Sequence, residues 1–146
     1  MADMTSARLL VVDDEQVVRE SLRDWFAEDG YQVETATCGR EALEKMEAQP
    51  PDVVLLDIKM PGMDGLTVQN KARELAPDAA IIMITAYATV DTAVQALKDG
   101  AQDYVTKPID PDDLAHTVTR TLERRTLQRE NARLKKRIEE IAEGDM

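Results

Sequence analysis

Short, strongly apolar runs alternate along the chain with longer amphipathic ones. The runs LLVV (9–12), YQVETA (31–36), VVLL (53–56), AIIMI (80–84) and QDYV (102–105) read as strands, each bounded by polar or turn-forming residues. Between them the period lengthens. Val17, Val18, Leu22, Trp25 and Phe26 recur at helical spacing over 15–28, and Gly30 ends that run. Ala42, Leu43 and Met46 do the same over 39–48, with Pro50 and Pro51 beyond. A third helix is predicted over 65–75, after a Gly turn. A fourth, over 89–99, carries Val90, Ala93, Val94 and Leu97, with Gly100 suited to the position after its C-cap. The fifth opens at IDPDDL. Asp110 suits the N-cap and Pro111 the first turn, while Asp112 and Asp113 sit at the positive end of the helix dipole.

Five strands alternating with five helices make βαβ units, whose crossovers are right-handed and whose sheet is parallel. VVLL and IIMI are apolar throughout, as strands covered on both faces must be. The expected fold is α/β: a flavodoxin-like, doubly wound five-stranded parallel sheet in the order 2-1-3-4-5, with an extended C-terminal helix. In the last helix, Leu114, Ala115, Val118 and Leu122 form a sheet-facing stripe. The step then changes. Leu127, Asn131, Leu134, Ile138 and Ile141 are spaced as a heptad seam, with Leu127, Leu134 and Ile141 at d and Asn131 and Ile138 at a. Asn at an a position favours a parallel, in-register dimer, and Glu130 at g faces Lys135 at the partner's e. Two heptads are marginal alone. The expectation is a homodimer through this helix with help from the surface of the preceding domain, against a monomer carrying one long solvated helix. The division is 1–124 for the domain and 125–146 for a coiled-coil linker.

Composition narrows the classes. The chain has 146 residues, 43% hydrophobic and 32% charged, which excludes a wholly disordered polymer. No apolar run approaches a membrane span and MADMTSARLL lacks a signal-peptide layout, so a cytoplasmic protein is expected. One cysteine, Cys38, leaves no internal disulfide and reads as a small apolar filler. Residues 1–115 hold 10 Lys/Arg against 23 Asp/Glu, whereas residues 116–142 hold 8 against 4. An acidic body disfavours nucleic acid, and the tail mixes both signs without aromatics, so direct nucleic-acid binding is not expected.

Candidate chemistry lies at the carboxyl ends of the strands, where open α/β sheets bind ligands. Strand 1 runs into Asp13, Asp14 and Glu15, strand 3 into Asp57, strand 4 into Thr85, and strand 5 into Thr106, Lys107 and Pro108. Each has an ordinary explanation alone: an Asp there caps the next helix, and a Lys before a turn is a surface lysine. In the order 2-1-3-4-5 these four strands are neighbours, so carboxylates, a hydroxyl and an ammonium converge on one crevice. Clustered carboxylates raise one another's pKa unless a cation relieves them, and an all-oxygen set suits Mg²⁺. Asp57 beside such an ion and Lys107 is placed to attack phosphorus, with Thr85 a hydroxyl donor to the same group.

The stretches VVDDE (11–15), LLDIKMPGMDG (55–65), ITA (84–86) and DYVTKP (103–108) resemble the receiver domain of two-component response regulators, from about residue 7 to 124. That resemblance implies that Asp57 accepts phosphoryl from a histidine kinase and undergoes slow autodephosphorylation. It implies Mg²⁺ held by Asp14, Asp57 and the Lys59 backbone carbonyl, with Asp13 acting through a water, and a cis Lys107–Pro108 bond. It makes Thr85 and Tyr104 paired switch residues, although an aromatic on an edge strand ordinarily just covers core. IIMITAYATVDTAVQALKDGAQDYVTKPID is similar to the receivers of nitrogen-regulation-type, sigma-N dependent transcription activators. There an AAA+ ATPase domain and a helix-turn-helix domain follow the linker. No GxxxxGK loop occurs here, so the chain is expected to be a fragment ending in the linker. Two alternatives stand beside this: a stand-alone receiver-coil adaptor acting by protein contact, and an aspartyl phosphatase. The phosphatase would want an acid two positions after Asp57, where Lys59 stands.

Overall fold

The computed structural model describes residues 7–86 and 90–144. Five strands, β1 (Arg8–Val12), β2 (Gln32–Ala36), β3 (Val53–Asp57), β4 (Ala80–Thr85) and β5 (Asp103–Thr106), form one sheet in the order β2-β1-β3-β4-β5. All four pairings are parallel. The helices are α1 (Gln16–Glu28), α2 (Gly39–Ala48), α3 (Gly65–Leu75), α4 (Val90–Lys98) and α5 (Pro111–Gly144). The start expected at Thr89 and the side chain of Val90 lie outside the described residues, as do residues 1–6, Tyr87, Ala88, Asp145 and Met146.

Strand alternation splits the core in two. Leu10, Val12, Val54, Leu56, Ile81 and Met83 face α2, α3 and α4. Leu9, Val11, Val53, Leu55, Ile82 and Ile84 face Leu22 and Phe26 of α1 and Leu114, Val118 and Leu122 of α5. Consecutive residues of a strand point to opposite faces, so β3 must be apolar at every position to be covered on both.

Two expectations fail in detail. Val17 is 78% exposed, so the buried stripe of α1 is Leu22 and Phe26, with Val18 and Trp25 partly covered. On α4, Val94 and Leu97 face solvent at 44% and 48% exposure, while Ala96 is fully buried. Helical spacing shows that a stripe exists, but two neighbouring stripes were available and the small residue faces the sheet.

The chain turns as capping chemistry dictates. The Asp110 carboxylate accepts the Asp112 and Asp113 N–H groups at the start of α5, and Asp64 accepts the Thr67 N–H on α3. Gly100, at φ +107°, closes α4. The Gly100 N–H bonds Leu97 O and the Ala101 N–H bonds Ala96 O. This is the paired hydrogen-bond pattern of a left-handed C-terminus. No helix among the described residues is long and apolar enough to cross a membrane. α5 runs unbroken past its last buried residue, Leu122. Beyond it Leu127, Leu134, Ile138 and Ile141 are 54–65% exposed along one face.

Candidate phosphoacceptor site

β1, β3 and β5 deliver the charged residues to one end of the sheet. β3 ends in Asp57, which pairs in register with Ile84 of β4. The turn after it is held tightly: the Gly65 N–H donates to Ile58 O at 2.7 Å. A Cβ at Gly65 would lie 2.4 Å from the Asp57 carbonyl oxygen, so α3 starts against the backbone of Asp57 itself. Gly62, in the same turn, has φ +80° and meets nothing within 4 Å.

Asp13 is 2% exposed. Its Oδ1 accepts the Glu15 N–H at 2.8 Å, and its Oδ2 lies 3.0 Å from Lys107 Nζ. The same ammonium is 3.3 Å from Asp57 Oδ2 and 3.3 Å from Glu15 Oε1. Lys107 therefore spends its three N–H groups on three carboxylates. The Lys59 N–H donates to the second Asp57 oxygen at 3.2 Å. Burial pushes the Asp57 carboxyl up to about 6, with the charge of Asp13 adding to it, against the opposing pull of Lys107 and the Lys59 N–H. Burial works against the charged form of Lys107 too, but hydrogen bonding to Asp13 and the charges of Asp13 and Asp57 overcome it, so the ammonium stays protonated.

Asp13, Asp14 and Asp57 each bring one carboxylate oxygen within 4.8 Å of the others. An all-oxygen donor set at that spacing fits a hard divalent cation and not a thiolate- or imidazole-preferring one. The site is open. A cavity of about 430 Å³ is lined by Asp14, Glu15, Asp57, Lys59, Ala86 and Lys107, among others.

Thr85 ends β4, fully buried, and its carbonyl accepts the Lys107 N–H at 2.9 Å. It does not line the cavity; Ala86 does. Tyr104 is partly buried on β5, and its hydroxyl is buried without a hydrogen-bond partner among the described residues. The Lys107–Pro108 bond is cis. The sequence did not single out Asp52 and Arg125, which form a separate polar cluster at the other end of the sheet. They are far apart in the chain and share no motif.

Residues 9–119 match the family model of the response regulator receiver domain. The chain belongs to that family. Regulatory protein AtoC of Escherichia coli K12 is 45% identical to this receiver over 123 residues, covering 84% of this chain and 27% of AtoC. The C4-dicarboxylate transport transcriptional regulatory protein DctD of Rhizobium meliloti is 35% identical over 136 residues, 93% of this chain and 30% of DctD. Among solved structures, the solution structure of the beryllofluoride-activated NtrC4 receiver domain dimer superposes with a TM-score of 0.77 at 37% identity, covering 81% of this chain and 98% of that one. The receiver thus spans less than a third of AtoC and DctD.

Proposed function

We propose that this receiver, in the cytoplasm, takes a phosphoryl group from a phosphohistidine of a histidine kinase onto Asp57. What supports this most is Asp57 itself: a buried carboxylate with a raised proton affinity, 3.3 Å from Lys107, at the floor of an open pocket. An Asp57 oxygen forms the new P–O bond, the N–P bond of the donor breaks, and the departing imidazole takes a proton. Lys107 neutralises charge on the transferred group. Asp14, Asp57 and the Lys59 carbonyl are the proposed ligands of Mg²⁺, with Asp13 acting through a water; the ion would add a second positive charge beside the phosphoryl oxygens. The incoming kinase has an apolar surface to rest on. Val17, Val18, Leu22, Trp25, Pro108 and Ile109 line a groove of about 240 Å³ that reaches Lys107.

Thr85 and Tyr104 are proposed as the switch. A buried phenol without a partner costs about 1–3 kcal/mol, so its present position is one the chain can leave readily. Phosphorylation would draw Thr85 toward the phosphoryl group and let Tyr104 turn, altering the face that bears Val94 and Leu97. The test is chemical. Incubated with Mg²⁺ and a small acyl phosphate, the protein gains the mass of one phosphoryl group, and Asp57→Asn gains none. An unchanged mass in the parent protein removes the proposal.

Residues 125–146 are proposed as a linker that dimerises through Leu127, Asn131, Leu134, Ile138 and Ile141 and carries the signal from the receiver, residues 1–124, to an AAA+ transcription-activating domain. The two regulators compared above are more than three times longer than the segment matched here, which favours this over a stand-alone adaptor. The exposed seam supports self-association. Sedimentation should give a dimer for residues 1–146 and a monomer for residues 1–125. Leu134→Asp should weaken self-association at least about tenfold, near 1.4 kcal/mol. Equal sizes for the two lengths would remove the seam.

A further inference from the structure

One tie between α5 and the sheet plays no part in the phosphoryl chemistry. Arg125 comes three residues after Leu122, where the packed part of α5 ends. Its side chain is only 12% exposed. Nε donates to the Asp78 carbonyl at 2.9 Å, and Nη1 donates to Asp52 Oδ1 at 2.8 Å. The other Asp52 oxygen accepts the Arg8 backbone N–H at 2.8 Å. One carboxylate thus joins the first residue of β1, the residue before β3 and the tail helix. Burial alone would raise the Asp52 carboxyl; the Arg8 N–H and the Arg125 guanidinium outweigh it and hold it below the usual carboxylate range.

Past this point the helix parts from the receiver. Every residue from Thr126 to Ala142 is exposed. A cavity of about 370 Å³ separates Gln128, Arg129 and Ala132 from Pro77 and Gly100. At 3.6 residues per turn, these three helix residues lie on the side opposite Leu127, Leu134, Ile138 and Ile141. α5 is one unbroken helix whose axis is set by the packed stripe of Leu114, Val118 and Leu122. With no buried apolar residue beyond Leu122 among the described residues, the fork of Arg125 is what resists bending at the root of the tail.

We infer that Arg125 is a positioning residue: by bridging Asp52 and the Asp78 carbonyl, it clamps the root of the tail helix to the sheet and limits bending there, so that the seam stays turned away from the sheet toward a second copy of the chain. The last clause rests on the dimer proposed above; the clamped root does not. A guanidinium presents donors in a rigid planar fork that reaches two acceptors at once, which a lysine ammonium at the end of a flexible stem does not reproduce. The tail therefore moves as one body with β1 and β3.

The test is an intrachain distance. In a Cys38→Ser background, Glu47→Cys on α2 and Lys136→Cys on the tail, both at exposed positions, carry nitroxide labels. The labelled chain is diluted into unlabelled protein and measured by pulsed electron spin resonance. The parent should give one narrow distance peak, and Arg125→Ala should roughly double its width while the far-ultraviolet helical signal and phosphoryl uptake stay unchanged. A merely stabilising contact would lower the melting temperature without broadening the peak. If Arg125→Ala does not fold, Arg125→Lys decides, with the same broadening expected. A parent-like width in the deciding variant, or a broad peak in the parent, overturns the inference. Sedimentation of the same samples separates the two claims. A monomer whose peak broadens keeps the clasp and loses the dimer; a dimer whose width never changes keeps the dimer and loses the clasp.

Discussion

Replacing Lys107 by methionine should lower the stability of the metal-free receiver by about 3–5 kcal/mol at pH 7. The size follows from the surroundings. The ammonium lies 3.0 Å from Asp13 and 3.3 Å from both Asp57 and Glu15, and the side chains of Asp13 and Asp57 are 3% and 5% exposed. Methionine keeps the length of the stem and removes the charge. Two buried carboxylates are then left facing each other, and Asp57, already raised by burial and by the charge of Asp13, loses the opposing pull of Lys107 and binds its proton more tightly still in the folded state. Carboxyls whose folded-state affinity is raised destabilise the fold as pH climbs, so the defect grows from acid toward neutral pH and fades below the ordinary carboxylate range. Melting in the presence of a chelator should show a fall on the order of 10 °C. Added Mg²⁺ should recover part of it, because the ion would supply the missing positive charge. A fall of a degree or two would mean that the carboxylates are not held together as described.

Asp57→Asn should move stability the other way. The Asp57 carboxyl is pushed up to about 6 from an ordinary 3.8, first by burial and then by the charge of Asp13. The sign is that of an acid that binds its proton more tightly when folded. Its ionisation costs the fold nothing well below pH 4, progressively more between about 4 and 6, and the full amount at pH 7. The asparagine variant escapes that cost and should be about 2–3 kcal/mol more stable at pH 7 without metal, with little difference at pH 3–4. Mg²⁺ should then reverse the order, by stabilising the parent and not the variant. Chelator-treated melts across pH would decide it; a variant less stable than the parent at pH 7 would show that the Lys107 pair outweighs burial.

How much of this was legible follows from which forces leave a periodic trace. VVLL and IIMI, short and apolar throughout, read as strands buried on both faces, and right-handed crossovers left few orders for the sheet. The clustering of Asp13, Asp14, Asp57 and Lys107 was legible because chain order and sheet order together bring them to one end of the sheet. Thr85 was placed at the right strand end, but its side chain proved to be enclosed, with Ala86 at the cavity wall. Packing against the sheet was harder to read. Val94 and Leu97 have the spacing of a core stripe, yet Ala96 is the residue that faces in. The Asp52–Arg125 pair left no trace at all. Two charged residues 73 positions apart meet only because a parallel sheet brings the bottoms of β1 and β3 beside the middle of α5, where its packed part ends.

The two glycines of the turn after Asp57 leave the chain unequal room to vary. Gly62 is constrained by its dihedral alone, so asparagine, which tolerates a left-handed backbone, is an open route for sequence drift. At Gly65 even a methyl group would drive a helix terminus into the main chain of Asp57. Exchange there is closed whatever its polarity, and a lineage that lost this glycine would have to rebuild the whole strand-to-helix junction.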